Sequence, residues 1–378
     1  MTDICITADG ELITVIQSDD IFQLLKLPSR TKTDAVQVTE LPLYLRNHVL
    51  VIDSASSGAG RGASPGIYQQ VIQPLFEILA IKHQYVLTQS ATHIAEIAAS
   101  LSHERDTTVL IISGDTSIQE FVNGLGKIAT PKKIFIATIP HGTGNALSRS
   151  LRPDNGPLLA VKSLLEGSFG AFPIYEVQFP PLSSFVASSE PVSLLKFVVV
   201  LSWGFHASLV ADSDTPEMRK LGLQRFQVAA QDNLKREQIY HGTVEILAKG
   251  NVLTADNGPF SYVVVTPVTR FEPTFEISPQ GNVFENSLYL VSFKGVEKNE
   301  EILEIMHKVY AAGSHIHDPR VTYQKIMPGD VLKLAVNESG ETKRRVCVDG
   351  AIVASGKGAI EVTCLGNHVN GWDLRLIG

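Results

Sequence analysis

The sequence predicts an α/β protein: a Rossmann-like N-terminal domain with a parallel sheet, then a C-terminal antiparallel domain that resembles a β-sandwich. Two observations predict this fold. From residue 46, continuous apolar strands alternate with segments of helical periodicity, as in parallel sheets covered on both faces. From about residue 171, short strands separated by turns dominate. We therefore expect a β-rich extension over 1–45, an α/β domain over 46–170 and a β-rich domain over 171–378.

Apolar periodicity defines the elements of the α/β region. Residues 109–112 and 134–139 are continuous apolar runs of strand length. Between them, apolar residues recur at i, i+3, i+4 and i+7 from Ile118, which is one face of a helix. Ligands of open parallel sheets bind at the carboxyl ends of the strands, where three Gly-rich loops of this chain lie. Further strands are predicted at 48–52 and 85–87, and further helices at 68–79 and 94–101.

The other two regions are predicted from turns and strand-length runs. In the extension, the turn signal Asp9-Gly10 precedes a strand at 11–16, and no residue pattern there indicates a function. In the C-terminal region we expect helices within 216–235 and 298–311. The strands expected in that region are 196–201, 243–248, 262–266, 288–293, 331–336, 345–348 and 360–364.

Composition and charge narrow the function classes. The 378 residues are 44% hydrophobic and carry a net charge of -7, which argues against nucleic acid, because its binding proteins usually carry a basic surface. The three cysteines lack metal-ligand spacing, which fits a reducing compartment. Neither a secretory signal nor an apolar run of about 20 residues is present. We therefore expect a cytoplasmic protein with transient, peripheral membrane association.

Three loops carry the candidate chemistry. The first starts at Asp53 and includes Ser57 and Gly58; a phosphate grip and a flexible surface loop explain it equally well. The other two join apolar strands to helices and read Ser113-Gly114-Asp115-Thr116 and Pro140-His141-Gly142-Thr143-Gly144-Asn145. Such turns can present backbone N–H groups and a helix N-terminus to a phosphate.

Two polar residues of these turns, Asp115 and Asn145, have specific expected roles. Asp115 is either a base or orienting group for a phosphoryl acceptor, or a cap of the helix that follows it. Asn145 is expected to cap the next helix, while Gly142 and Gly144 allow close backbone approach. Thr143 can bond phosphate or ribose.

The loops and their order resemble the nucleotide site of the diacylglycerol, ceramide and sphingosine kinases. Those families have a (Gly/Ser)-Gly-Asp-Gly turn, a helix ending in Asn-Gly, and a Pro-x-Gly-(Thr/Ser)-Gly-Asn loop. This chain matches except at Thr116, which stands where the family has Gly. The resemblance covers roughly 46–378, and Ser113 with Trp203-Gly204-Phe205 makes it closest to the sphingosine kinase branch. It implies transfer of the ATP γ-phosphate, with Mg²⁺, to the primary hydroxyl of a sphingoid base, ceramide or diacylglycerol.

The resemblance also implies the site residues. Asp115 is implied as the catalytic residue, whereas the metal ligands stay unassigned. For Arg219 and Arg225, which the family uses on phosphates, the alternative is a solvated helix face with acidic partners. The lipid-binding residues are implied to be Phe205, Ser208 and Asp212. The nucleotide-binding residues are implied to be Asp53, Ser57, Gly58, Thr88, Ser113, Gly114, Thr116, Gly142, Thr143, Asn145, Arg219, Arg225 and Asp349.

Four departures from the family, Asp53, Thr116, Ser208 and Ala351, fall where phosphate, metal or lipid should lie. At Thr116, a left-handed conformation would cost about 1–2 kcal/mol. The departures support a second hypothesis, a degenerate member that binds nucleotide or lipid in a regulatory role. A third hypothesis, an NAD kinase of related fold, is disfavoured by the intact loop at 140–145. The sequence leaves the lipid and the oligomeric state open.

Overall fold

The computed structural model describes residues 1–19, 21–28, 32–54, 66–142, 144–152, 156–295 and 298–378, whose strands form four sheets. The first sheet belongs to the N-terminal extension, and its strands are β1 (Thr2–Ile6), β2 (Glu11–Ser18), β3 (Ile21–Pro28) and β4 (Val36–Gln37). Its order is β3-β2-β1-β4, with β1 parallel to β4 and antiparallel to β2. A 3-10 helix at Leu43–Arg46 leads into the next sheet.

A parallel sheet forms the α/β region, as the sequence predicts. Its consecutive strands are β5 (His48–Asp53), β6 (His83–Leu87), β7 (Thr107–Ser113) and β8 (Lys132–Pro140), and all their pairings are parallel. A π-helical turn at Tyr68–Ile72 continues into the first helix of the region. The helices are α1 (Gln73–Ile78), α2 (His93–Ala99), α3 (Asp115–Gly124), α4 (Ala146–Leu151) and α5 (Pro157–Glu166).

The C-terminal region is antiparallel, also as predicted. Its helices are α6 (Phe205–Ser213), α7 (Pro216–Arg219), α8 (Gln224–Asn233) and α9 (Asn299–Tyr310), with 3-10 helices at Ser314–His317 and Glu341–Arg344. Its strands are β9 (Phe169–Ala171), β10 (Ile174–Gln178), β11 (Ser184–Phe185), β12 (Leu194–Phe197), β13 (Leu201–Gly204), β14 (Gly242–Ala248), β15 (Asn251–Asn257), β16 (Phe260–Thr266), β17 (Leu288–Lys294), β18 (Val321–Ile326), β19 (Asp330–Val336), β20 (Arg345–Val348), β21 (Ala351–Ala354), β22 (Ala359–Gly366), β23 (His368–Val369) and β24 (Trp372–Ile377).

Two antiparallel sheets face each other in this region. One has the order β12-β10-β22-β19-β14-β15 and the other β11-β21-β20-β13-β16-β17-β18. Buried side chains of both sheets, such as Val244 and Leu332 from the first and Trp203 and Val263 from the second, form one hydrophobic cluster. The arrangement is a β-sandwich, because the inner faces of the two sheets share this core.

The end of the chain pairs with the parallel sheet and not with the sandwich. Strand β24 pairs in parallel with β8, and β9 and β23 pair with β24, so the parallel sheet has the order β23-β24-β8-β7-β5-β6. Residues 368–377 therefore belong to the parallel sheet, although the sequence placed them with the β-rich region. Apolar residues recur at every second position from Trp372, and this alternation shows a strand but does not identify its partner.

The two regions share a core, because the parallel sheet packs on the sandwich through α2 and α3. Val109 and Ile136 of the parallel sheet belong to the same buried cluster as Val200 and Val264 of the sandwich. The opposite face of the parallel sheet packs on α1, α5 and the N-terminal extension in a second cluster. The position of α3 relative to the sandwich is therefore set by buried contacts.

Asn123 and Gly124, at the end of α3, connect this helix to β12 and to α2. The Asn123 side chain accepts a hydrogen bond from the Lys196 N–H (2.9 Å) and donates one to the Lys196 carbonyl (2.8 Å), so it pairs with β12 like a neighbouring strand. A Cβ at Gly124 would lie 2.5 Å from the backbone oxygen of Ala95 in α2. The Asn-Gly ending of this helix therefore has a packing explanation.

We predict that Asn123→Asp lowers the free energy of unfolding by about 1–3 kcal/mol, because a carboxylate oxygen would replace the donor that meets the Lys196 carbonyl. Urea denaturation of the purified protein measures this change. Asn251→Asp is the matched control, since Asn251 is exposed at the start of β15. Equal stability of the two variants would contradict the bridging role of Asn123.

Candidate active site

The predicted loops meet at the carboxyl edge of the parallel sheet. Ser113 at the end of β7 pairs with Pro140 at the end of β8, and the His141 N–H donates to the Ser113 carbonyl at 3.1 Å. Asp53 ends β5 beside Ile112. Of the expected site residues, Ser57, Gly58 and Thr143 lie outside the described residues. The second and third loops are therefore adjacent, and the first starts next to them.

Gly114 and Gly142 let the second and third loops touch through their backbones. A Cβ at Gly142 would lie 2.6 Å from the Gly114 Cα and 2.7 Å from its nitrogen, and a Cβ at Gly114 would lie 2.8 Å from the Gly144 oxygen. The backbone at Gly114 is extended, with φ -100°. Close loop packing, and not left-handed geometry, therefore explains why these positions need glycine.

Asp115 is the first residue of α3, but its side chain caps a different helix. One carboxylate oxygen accepts the Ala146 N–H at 2.7 Å and the other accepts the Leu147 N–H at 3.1 Å, which are the first amides of α4. Burial of the group raises its pKa to about 6, although the two amides act in the opposite direction. Part of the residue stays exposed. Asp115 therefore holds both loops together at the point where they meet.

Asn145 does not cap α4, contrary to the prediction. Its amide nitrogen donates to the Gly142 carbonyl at 2.8 Å and its amide oxygen accepts the Gly142 N–H at 3.2 Å, so the side chain closes its own loop. The capping position is taken by Asp115, which the sequence could not indicate because the two residues lie in different loops. Asn145 is 8% exposed, so its side chain stabilises the conformation of the loop and contributes little to the loop surface.

Thr116 is not strained, so the predicted left-handed cost is wrong. It is the second residue of α3, and its φ angle is not positive. Its hydroxyl donates to the Asp349 carbonyl at 3.0 Å, in the turn between β20 and β21. Next to it, the hydroxyl of Ser113 at the end of β7 is hydrogen-bonded to the hydroxyl of Ser117 in α3 at 2.5 Å. A side chain at this position therefore makes a contact that glycine cannot make.

Asp349 faces the backbone of the sandwich, not an open surface. Its carboxylate accepts N–H groups from Val198 (2.6 Å), Val199 (3.0 Å) and Val200 (2.6 Å), and the residue is 4% exposed. Burial raises its pKa to about 7, and the Asp115 carboxylate contributes in the same direction. The carboxylate therefore holds the backbone of residues 198–200, and the nucleotide contact expected for Asp349 stays a prediction.

Asp53 and Thr88 lie side by side at the ends of β5 and β6. The Thr88 N–H donates to the Asp53 carbonyl at 2.9 Å, and the Tyr85 hydroxyl donates to the Asp53 carboxylate at 3.0 Å. Tyr85 is itself stacked on Tyr68, with ring centroids 3.7 Å apart. Asp53 is 1% exposed and bonded to Tyr85, and the phosphate contact expected for it stays a prediction. Sequence reasoning missed Tyr85, which only tertiary packing brings to Asp53.

Arg219 and Arg225 share one acidic partner, Asp214, which agrees with the alternative that these arginines pair with acidic side chains. Arg219 bonds both oxygens of Asp214 (2.8 and 2.9 Å), and Arg225 bonds one at 3.3 Å while its guanidinium lies 4.8 Å from the Phe226 ring centroid. Burial lowers the pKa of Arg225, whereas the hydrogen bonds that Arg219 donates to Asp214 raise the pKa of Arg219. The two guanidiniums together exceed the charge of Asp214, so the cluster keeps one excess positive charge.

The three residues expected to bind lipid all lie on α6, and the polar groups of Ser208 and Asp212 already have hydrogen-bond partners. Phe205 is buried in the core shared by the two regions. The Ser208 hydroxyl is hydrogen-bonded to the Tyr240 hydroxyl at 2.9 Å. Asp212 bonds Arg345 at 2.7 Å and Arg236 at 2.8 Å; burial acts to raise its pKa, but these bonds outweigh burial and lower it. The expected direct lipid contacts therefore stay predictions.

Neither a metal cluster nor a membrane span is found in the described part of the chain. No group of three or more His, Cys, Asp or Glu side chains there is arranged to hold a metal ion. No described helix combines the length and apolar character that crossing a bilayer requires.

We predict that Gly142→Ala lowers the free energy of unfolding by about 1–3 kcal/mol, because the added Cβ would collide with the Gly114 backbone. Thermal or urea unfolding measures the loss. Gly156→Ala is the matched control, since nothing lies within 4 Å of a Cβ at Gly156. If both variants unfold like the unmodified protein, the loops do not pack on each other as described.

Comparison with known proteins gives a consistent result. The family model for the diacylglycerol kinase catalytic domain matches residues 48–177, which include the second and third loops. Sphingosine kinase 1 of Mus musculus is 28% identical over 226 residues, covering 57% of this chain and 56% of that protein. Ceramide kinase of Mus musculus is 22% identical over 230 residues, covering 56% and 40%. The chain thus spans about half the length of the curated relatives it matches.

A solved structure shows the same fold over most of the chain. A diacylglycerol kinase from Bacillus anthracis strain Sterne superposes with a TM-score of 0.54, at 13% identity, over 87% of this chain and 96% of that one. The loops at the carboxyl edge of the parallel sheet, the matched catalytic domain and these relatives agree with the resemblance seen in the sequence. Residues 48–177 thus match the diacylglycerol kinase catalytic domain, and the chain is similar to sphingosine and ceramide kinases over about half of its length.

Proposed function

We propose that this chain is a lipid kinase that transfers the γ-phosphate of ATP to the primary hydroxyl of a lipid. The observation that carries the proposal is the position of Asp115, a partly exposed carboxylate at the point where the two adjacent Gly-rich loops meet. Phosphoryl transfer depends on positioning, and it requires phosphate-binding groups and an acceptor for the hydroxyl proton close together. This juxtaposition supports the family's chemistry in this chain.

The first turn of α3 is the part of the site that fits a triphosphate. Its N-cap residue is Gly114, which has no side chain to accept the N–H groups of the turn. Helix N-termini favour anions through these N–H groups and the helix dipole. The amides that begin α4 are engaged by Asp115, so α3 is the better donor of the two helices. We therefore assign the phosphates of ATP to the α3 side of the loops.

Asp115 is the proposed acceptor for the proton of the lipid hydroxyl. Each carboxylate oxygen accepts one N–H from α4, and an ionised carboxylate oxygen has a second lone pair for another hydrogen bond. In the step, the hydroxyl oxygen bonds to the γ-phosphorus, the bond between that phosphorus and the ADP oxygen breaks, and Asp115 takes the proton. The products are a lipid phosphate and ADP.

Mg²⁺ is expected to enter with the nucleotide, because this ion is usually held by phosphates, water and one or two carboxylates. The described residues offer no preformed metal cluster. When bound, Mg²⁺ would neutralise phosphate charge.

The acceptor lipid is proposed to approach from the sandwich side, where α6, α7 and α8 lie. Ser208 is uncharged, and the carboxylates of Asp212 and Asp214 are each bonded to two arginines. These contacts favour a neutral acceptor such as ceramide or diacylglycerol. The similarity to proteins named sphingosine kinase favours a sphingoid base instead. Membrane contact would be peripheral and transient.

Binding without turnover is the second candidate function. The observation that favours it is the engagement of both candidate phosphate-binding arginines, Arg219 and Arg225, by Asp214. In that case the chain would bind nucleotide or lipid in a regulatory role.

The test is a radiolabelled ATP assay with Mg²⁺ and vesicles containing a sphingoid base, ceramide or diacylglycerol. We expect label to enter one lipid, and Asp115→Asn to reduce turnover by about 10²–10⁴. The exposed Asp9 provides the control variant, Asp9→Asn, which should retain full activity. If the protein binds ATP but labels no lipid, the second candidate is favoured. If it neither binds ATP nor labels a lipid, both candidates are refuted.

The pH dependence follows from the raised pKa of Asp115. Burial brings it from an ordinary value of 3.8 to about 6, and only the ionised carboxylate can accept the proton. We therefore predict that kcat/KM rises with pH up to about 6 and then levels off. A pH–rate profile measured from 5 to 8, with thermal unfolding at each pH as the control, tests this. A flat profile across that range would remove Asp115 as the base.

A further inference from the structure

Thr116 connects the loop that carries Asp115 to the sandwich. Its hydroxyl donates to the Asp349 carbonyl at 3.0 Å, a contact between residues 233 positions apart. Thr116 is the second residue of α3, and Asp349 lies between β20 and β21 of the sandwich. The contact thus crosses from the nucleotide loop to the region where the lipid is proposed to bind.

The turn that receives this hydrogen bond has a fixed shape. Asp349 and Gly350 have φ of +48° and +95°, and the Asp349 carboxylate accepts the three consecutive N–H groups of residues 198–200. A Cβ at Gly350 would lie 3.0 Å from the Thr116 hydroxyl oxygen. The turn is therefore held by the sandwich on one side and touches Thr116 closely on the other.

Thr116 and Asn123 attach the same face of α3 to the sandwich. They are seven residues apart, about two helical turns, so their side chains project from one face. Asn123 pairs with the backbone of Lys196 in β12, and Thr116 bonds the turn after β20. Two attachments along one helix fix its rotation as well as its distance, and Asp115 is the residue next to the first of them.

We propose that Thr116 is a positioning residue that sets Asp115 and the phosphate-binding turn relative to the sandwich. The proposal rests on the function proposed above, since that alignment would bring ATP and lipid together. It explains the departure from the family glycine as a hydrogen bond gained, in a helical position where threonine carries no left-handed strain. Loss of the hydroxyl would loosen the alignment, whereas Asp115 and the backbone N–H groups of the turn would remain in the site.

The experiment compares Thr116→Val, which keeps the shape and removes the donor, with Thr116→Ser, which keeps the donor. Thr254→Val on the edge strand β15 is the matched control. Hydrogen exchange is measured first, without nucleotide or lipid, at the amides of residues 198–200 and 349–351. We expect about 3- to 10-fold faster exchange there in Thr116→Val, the range for one net hydrogen bond, and wild-type rates in Thr116→Ser and Thr254→Val.

Steady-state kinetics on the labelled lipid form the second measurement. Thr116→Val is expected to lower kcat several-fold with KM for ATP within about two-fold, and Thr116→Ser is expected to restore kcat. Unchanged exchange at residues 198–200 in Thr116→Val overturns the proposal, whatever the activity. Faster exchange with unchanged kcat also overturns it, because the contact would then be structural only. If Thr116→Val shows the faster exchange but the wild-type protein phosphorylates no lipid, the proposed function is refuted instead.

Discussion

The carboxylate of Asp115 is the interaction on which the candidate site depends. By accepting the first two amides of α4 while lying at the start of α3, it joins two loops that follow different strands of the parallel sheet. The contact of Gly114 with Gly142 is possible only in that arrangement, because the backbones are too close for any side chain. Removing the charged partner of this partly buried contact leaves donors without acceptors, which costs more than a typical surface bond. The same group therefore serves the structure of the loops and their proposed chemistry.

The second constraint is the attachment of α3 to the sandwich. The parallel sheet and the sandwich share one hydrophobic cluster, and the last strand of the chain, β24, returns to the parallel sheet. Within this shared core, Thr116 and Asn123 add directional hydrogen bonds from α3 to β20–β21 and β12. Apolar contacts hold the two regions together, and hydrogen bonds define their register. A site that uses one substrate from each region requires both.

Local patterns in the sequence predicted the fold well, and long-range contacts limited the prediction of the site. The strands β5, β7 and β8 and the helix α3 follow from apolar periodicity, and the loops at their ends follow from glycine placement. The partner of β24 could not be predicted, because alternation shows a strand without naming its neighbour. The roles of Asp115 and Asp349 as acceptors for distant amides, and the helical conformation of Thr116, depend on tertiary packing. Sequence identified these residues, but it could not assign their partners.

A crystal structure of the protein with Mg²⁺ and a non-hydrolysable ATP analogue tests the central claim most directly. The account predicts that the triphosphate lies against the first turn of α3, between the loops at 113–116 and 140–145, with the Asp115 carboxylate still bonded to α4. A nucleotide bound at another edge of the sheet would contradict it. So would a complex in which Asp115 has left the amides of Ala146 and Leu147, because the two loops would then not act as one unit.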